Sequence, residues 1–166
     1  MTKAGADLTE FAHKLEQRKV GLRREINKAL AAGALLVEGT AKESIQAGGK
    51  GEVYESTFRM INGRPVPYGS RADEPNLSPK HQASAPGDAP ATDTGHLVNQ
   101  IAVDAVKESG RDAYVIVRSQ AKYSNALEFG TRHIEPRPFM APALQKNADK
   151  IVRFVRFAIN KGLADG

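Results

Sequence analysis

The stretch Val103–Asp104–Ala105–Val106, running through Ser109–Gly110–Arg111–Asp112 into Ala113–Tyr114–Val115–Ile116–Val117–Arg118–Ser119, decides the fold class. Its second half is dense in β-branched and aromatic residues, which suit a pleated, half-buried surface, and Ser-Gly-Arg-Asp supplies a tight reversal between two strands. Upstream of this hairpin, Asp93 offers a cap for a short helical turn through Leu97 and Ile101. Downstream, Tyr123 to Phe129 reads as a short helix closed by Gly130, after which Pro136 and Pro138 hold the chain extended up to Phe139. A final amphipathic helix follows, with Met140, Leu144, Ile151, Val155 and Ile159 on its apolar stripe.

Further out, Leu8 to about Ala47 carries Phe11, Leu15, Leu22, Ile26, Leu30, Gly33, Val37, Ala41 and Ile45 at steps of three, four or seven, one face of an α-helix. Asp7 and Thr9 offer N-cap chemistry, and Gly48–Gly49 offers a stop. A continuous helix of this length would reach roughly 60 Å. A core of this size does not cover it, so the sequence predicts either a break near Gly21 or Gly33, or a partner subunit along part of the face. Val53 to Ile61 reads as a strand turning at Asn62–Gly63 into Arg64–Pro65–Val66–Pro67, whose prolines place it at a sheet edge. Residues 68–91 hold Pro75, Pro79, Pro86 and Pro90 with no hydrophobic period. Loops beyond roughly 12–15 residues are uncommon inside compact domains, so this arm is expected to be flexible when free or ordered against a partner. The resulting order describes a single α+β domain over 1–166. A long N-terminal helix and a C-terminal helix pack on a small antiparallel sheet, with a long Pro-rich arm at 68–91.

Composition narrows the function. The 166 residues are 40% hydrophobic and 26% charged, as in a globular domain, and 6% aromatic without Trp, so the core is mainly aliphatic. Zero Cys excludes disulfides, a thiolate metal site and a cysteine nucleophile. Met1 to Asp7 has no signal-peptide pattern, and no segment reaches the roughly 20 apolar residues that span a bilayer. His13, His81, His96 and His133 lack metal-ligand spacing. His133 and Glu135 read as a solvated or partner-facing loop rather than an acid–base pair. Gly48–Gly49–Lys50–Gly51 lacks the first glycine and the Ser or Thr of a phosphate loop. No catalytic, cofactor-binding or metal-binding residue is therefore expected, and no enzyme. The net charge is +5, and Arg137 to Gly166 holds four of that surplus. On the last helix, Lys150, Arg153, Arg156 and Lys161 are candidate contacts for nucleic acid or an acidic partner, weighed against an ordinary solvated face. Arg153–Phe154–Val155–Arg156–Phe157 interleaves bases with aromatics, and core packing with a basic outer face is the preferred reading.

Two stretches belong together: Ala89–Pro90–Ala91–Thr92–Asp93–Thr94–Gly95–His96–Leu97, and Tyr123–Ser124–Asn125–Ala126–Leu127–Glu128–Phe129–Gly130–Thr131 followed by Pro136–Arg137–Pro138–Phe139–Met140–Ala141–Pro142–Ala143–Leu144. In this order they resemble the small phage tail-completion or neck proteins of lambdoid phages and prophages, with Ser124 and Asn125 departing from that family's usual alanine. The resemblance implies a non-enzymatic virion subunit, assembled in the host cytoplasm, without cofactor. It would form a ring of six copies at the head-proximal end of the tail, against tail-tube, tail-terminator or head-closure proteins, with DNA passing through the lumen. It marks Thr94, Gly95, Leu97, Tyr123, Leu127, Glu128, Phe129, Gly130, Thr131, Arg137, Pro138 and Phe139 as interface or structural motif residues. Leu127, Phe129 and Phe139 would be buried anchors, and Gly130 a position closed to residues bearing a Cβ. The motifs equally suit a role in locking the last helix onto the sheet. Competing readings are a head-closure or tail-terminator protein, a basic nucleic-acid-binding module and, last, a small hydrolase or toxin.

Overall fold

The computed structural model describes residues 3–48, 51, 53–55, 58–61, 64–67, 80–82, 84–92, 94–110 and 112–164. Its elements run α1 (Lys3–Gln46), β1 (Val53–Glu55), β2 (Phe58–Ile61), β3 (Arg64–Pro67), β4 (Lys80–Gln82), α2 (His96–Asn99), β5 (Ile101–Val103), β6 (Lys107–Ser109), β7 (Asp112–Tyr114), β8 (Val117–Ser119), α3 (Ser124–Phe129) and α4 (Met140–Ala164). The fold is α+β, two long helices with small antiparallel two-stranded sheets. The chain divides into two compact units, Met1–Ala41 with Ile101–Ser119 and Met140–Gly166, and Lys42–Gln100 with Gln120–Phe139.

In the first unit, α1 and α4 run antiparallel. Gly162 lies against Leu22, Lys161 against Glu25, Ile151 against Gly33 and Asn147 against Thr40. Small residues let the helices approach closely: a Cβ at 162 would stand 2.8 Å from Leu22 Cα, and one at 33 would stand 3.1 Å from Ile151 Cγ1. Buried among them, Asn147 donates through Nδ2 to Thr40 Oγ1 at 2.8 Å and to the Ala143 carbonyl at 2.9 Å. The buried face of α4 is thus Ala143, Asn147, Ala158 and Gly162, with Ile151, Val155 and Ile159 half-buried beside them. Leu144, expected on that face, is exposed. The small residues win because only they permit the close approach.

No break interrupts α1 at Gly21 or Gly33, and it starts before Asp7 and Thr9, which therefore do not cap it. Good helix formers fill it, so propensity and the α4 contact both favour continuity. Because Gly162 already reaches Leu22, close to the end of α4, roughly 28 Å of α1 extends past that contact at about 1.5 Å per residue. Leu8, Phe11 and Leu15 continue the stripe of Leu22, Ile26 and Gly33 onto this overhang, where they are 70%, 60% and 49% exposed.

The hairpin β5–β8 completes this unit. Ile101 opposes Ser119 and Val103 opposes Val117, then Lys107 opposes Tyr114 and Ser109 opposes Asp112. Four steps along one strand match three along the other, an extra residue that marks a β-bulge and splits the ladder in two. Gly110, at φ 60°, takes the left-handed conformation of the turn. The tip docks on α1: Arg23 Nη2 donates to the Gly110 carbonyl at 2.8 Å, and Asn27 Nδ2 to Glu108 Oε1 at 2.6 Å.

In the second unit, β2 and β3 form the expected hairpin, Phe58 opposing Pro67 and Ile61 opposing Arg64. The turn residues Asn62 and Gly63 lie outside the described residues. The run from Val53 is not one strand, because Val53–Glu55 pairs instead with Lys80–Gln82. Of the arm read over 68–91, residues 80–82 are thus strand β4, and Ser84 and Pro90 are buried. Residues 68–79 lie outside the described part.

Candidate functional site

Three sequence motifs fold onto one another in the second unit. The first brings Pro90 to Leu97 into α2. Gly95, at φ 73°, precedes that helix in the left-handed region, and Thr94 Oγ1 accepts from the His96 N–H at 3.4 Å. Ile101, expected in this turn, belongs to β5 instead, because Gln100 ends the helix. The expected cap Asp93 lies outside the described residues.

The second motif forms α3. Ser124, which departs from the alanine of the motif it resembles, is buried, and its Oγ donates to the Ala121 carbonyl at 2.8 Å, so its hydroxyl is satisfied locally. Gly130 ends the helix at φ 74°, and a Cβ there would stand 2.9 Å from the Ile134 carbonyl oxygen and 3.0 Å from Pro136. The position is therefore closed to side chains on conformational and steric grounds together. Thr131 closes the following loop. Its N–H donates to the Ile134 carbonyl at 2.8 Å, while its Oγ1 accepts from the N–H groups of His133 and Ile134.

The third motif is strapped to the second by two bonds. Arg137 N–H donates to the Leu127 carbonyl at 2.6 Å, and Phe139 N–H to Glu128 Oε2 at 2.9 Å. The Pro136 carbonyl accepts from Gly87 N–H at 3.0 Å, which fixes residues 84–92 to the same body. Among the described residues Phe139 is the largest of the fully buried side chains, 1% exposed, while Leu127 is half-buried. Phe129 departs from its expected place as a buried anchor: it is 79% exposed, turned outward at the end of α3. Pro138 is half-buried, and His133 and Glu135 are exposed in the loop between.

Where the motifs meet, a pocket of about 270 Å³ opens, lined by Pro90, Thr94, Leu97, Tyr123, Leu127 and Arg137 among others. The His96 and Tyr123 rings stand 6.1 Å apart beside it. Arg137 Nε is shielded from water and has no hydrogen-bond partner among the described residues. Sequence reasoning grouped these residues by wording alone. It did not find the pocket, nor Ser84 and Pro90 as part of it.

The basic candidates on α4 separate into two kinds. Lys150, Arg153 and Arg156 stand exposed at steps of three, with Arg153 Nε donating to the Asp149 carbonyl at 3.3 Å. Lys161 is engaged with α1, pairing with Glu25 Oε2 at 3.2 Å. Lys28 holds the other oxygen of that carboxylate at 2.8 Å, and the two cations keep the Glu25 carboxyl below the usual carboxylate range.

Comparison with curated proteins and with solved structures gives no match. A family comparison does, and it ends at Gly130, before the Arg-Pro-Phe motif begins. Over residues 79–130, which span β4, α2, the β5–β8 hairpin and α3, the chain matches the family described as Bacteriophage HK97-gp10, putative tail-component, in agreement with the tail-completion and neck proteins that its motifs resemble.

Proposed function

We propose that this chain is a structural, non-enzymatic tail-completion or neck component that forms a ring, of six copies, at the head-proximal end of a phage tail. The observation that carries the assembly reading is the overhang of α1. Leu8, Phe11 and Leu15 continue the buried stripe of the same helix and are left open. Exposed apolar side chains of this size in a continuous row favour coverage by another protein surface. A head-to-tail contact of that kind repeats until a ring closes. Tail-tube, tail-terminator or head-closure proteins are the neighbours this reading supplies, and the finished particle, assembled in the host cytoplasm, is its location. A head-closure or tail-terminator position in the same neck region is the adjacent alternative.

Size-exclusion chromatography with light scattering, on the chain alone and mixed with tail-tube and head-closure proteins, tests the proposal. Rings are expected in at least one mixture, and replacing Leu8, Phe11 and Leu15 by Ser is expected to prevent them. A chain that stays monomeric in every mixture contradicts the reading.

A nucleic-acid role has its own support. Lys150, Arg153 and Arg156 are exposed on one side of α4, with Phe157 also exposed among them. Such a face can hold a phosphate backbone without reading sequence. Duplex DNA binding that weakens with rising salt and is lost when all three cations become Gln would favour this module, either alone or as the lumen of a ring.

A further inference from the structure

The pocket formed by the three motifs has the chemistry of a receptor, and we propose that it takes a carboxylate presented by a neighbouring polypeptide, with the Arg137 guanidinium as the group that receives it. This rests on the reading of the chain as a subunit among virion proteins and names what one of its contacts recognises.

Four observations carry it. Arg137 Nε is withdrawn from water without a hydrogen-bond partner, and no described carboxylate pairs with its guanidinium. A guanidinium does not give up its proton, so a dry, unpaired N–H can be relieved only by an acceptor. Glu128, whose Oε2 accepts from Phe139 N–H, makes no bond to the Arg137 Nε. Among the described lining residues, Arg137 is the lone permanently charged side chain and none is a carboxylate, so that lining favours an anion.

Size and geometry then choose the anion. About 270 Å³ admits one side-chain group with part of its backbone. The Nε and one Nη of a guanidinium form two parallel donors that match the two oxygens of a planar carboxylate. Since Arg137 is only half-buried, rotation of its terminal torsions can turn that edge toward the cavity. The Thr94 and Tyr123 hydroxyls add donors, and Pro90, Leu97 and Leu127 supply apolar walls that strengthen the ion pair by excluding water. A nucleic-acid phosphate fits less well, because a single arginine offers it little neutralisation.

The test uses the full chain with the Arg137 Nε–H signal followed by nitrogen NMR. Four probes are added in turn: Ac-Gly-Glu-Gly-NH2, its Gln counterpart, Ac-Gly-Gly-Gly with a free C-terminal carboxylate, and inorganic phosphate. A saturable shift with a carboxylate probe, absent with the Gln peptide, is expected. The stronger of the two carboxylate probes assigns the source to an acidic side chain or to a chain terminus. Arg137→Gln is expected to weaken binding by about tenfold or more, as charge-assisted bidentate pairs are the strong ones. Should that variant fail to fold, Tyr123→Phe keeps the packing and is expected to lower affinity by a smaller factor. Equal response to the Glu and Gln peptides, no response at Arg137, or tighter binding of phosphate overturns the proposal. A chain that binds the glutamyl peptide but enters no particle would uphold the site and remove the assembly reading, and the reverse pattern would do the opposite.

Discussion

Single residues set the tolerances of the helix pair. At Gly162 an added methyl would meet the backbone of Leu22, which cannot swing aside, whereas at Gly21 it would meet nothing within 4 Å. Gly162→Ala is therefore expected to destabilise by about 1–3 kcal/mol through overpacking. Gly21→Ala is expected to stabilise by up to about 1 kcal/mol through helix propensity. Urea unfolding of the two variants checks the contrast, which fails if both behave alike. Asn147→Ala removes the donor to Thr40 from a site only 2% exposed, and a loss of about 1–3 kcal/mol is expected by the same measurement. Glu25 adds a pH signature. Its carboxyl lies below the ordinary range because Lys28 and Lys161 hold the charged form. Its contribution is thus present above the unfolded-state value near about pH 4 and is lost as pH falls through the lowered folded value. The stability gap between the native chain and Glu25→Gln should be level at neutral pH and close in acid. A gap that widens in acid would contradict the pairing.

At the scale of elements, the sequence told most of the order and less of the pairing. Long periodic runs made α1 and α4 readable, and Gly130 marked the end of α3, because each of those signals is local. The partner of Val53–Glu55 was not local: Lys80–Gln82 lies across the arm and has no alternation that announces a strand. The face of α4 was misread at Leu144 because size was taken as the sign of burial, while close helix approach selects Ala143, Ala158 and Gly162. Asn147 was findable, since it stands one turn from both Ala143 and Ile151. The break weighed near Gly21 or Gly33 came from the small core available to so long a helix, where Gly33 instead makes room for Ile151. The motif residues of the candidate site were legible by wording, yet Phe129 could not be separated from Phe139 without coordinates: Phe139 is enclosed and Phe129 is not. The same exposure predicts how the overhang behaves. Replacing Leu8, Phe11 and Leu15 by Ser should leave the unfolding midpoint of the monomer within the range of about 0.5 kcal/mol typical of surface changes. A large loss in the isolated monomer would mean that the row is already packed.

For the molecule as a whole, the two halves of the account meet in a division of labour. One unit offers a helix that runs on past its antiparallel partner, and the other gathers the motifs around a pocket lined by Arg137, whose Nε has no partner among the described residues. Among the described residues, no helix is long and apolar enough to cross a membrane, so a bilayer-spanning helix does not explain the apolar row. Coverage by a neighbouring subunit, as proposed, would explain it. Hydrogen exchange across α1 reads that claim directly in the free chain and in the assembled particle. Amides of residues 8–20 should exchange quickly when the chain is free, slower only toward Leu22, and should gain about tenfold or more in protection on assembly, as an unsupported helix becomes packed. A particle that forms while those amides exchange as fast as before would contradict the account.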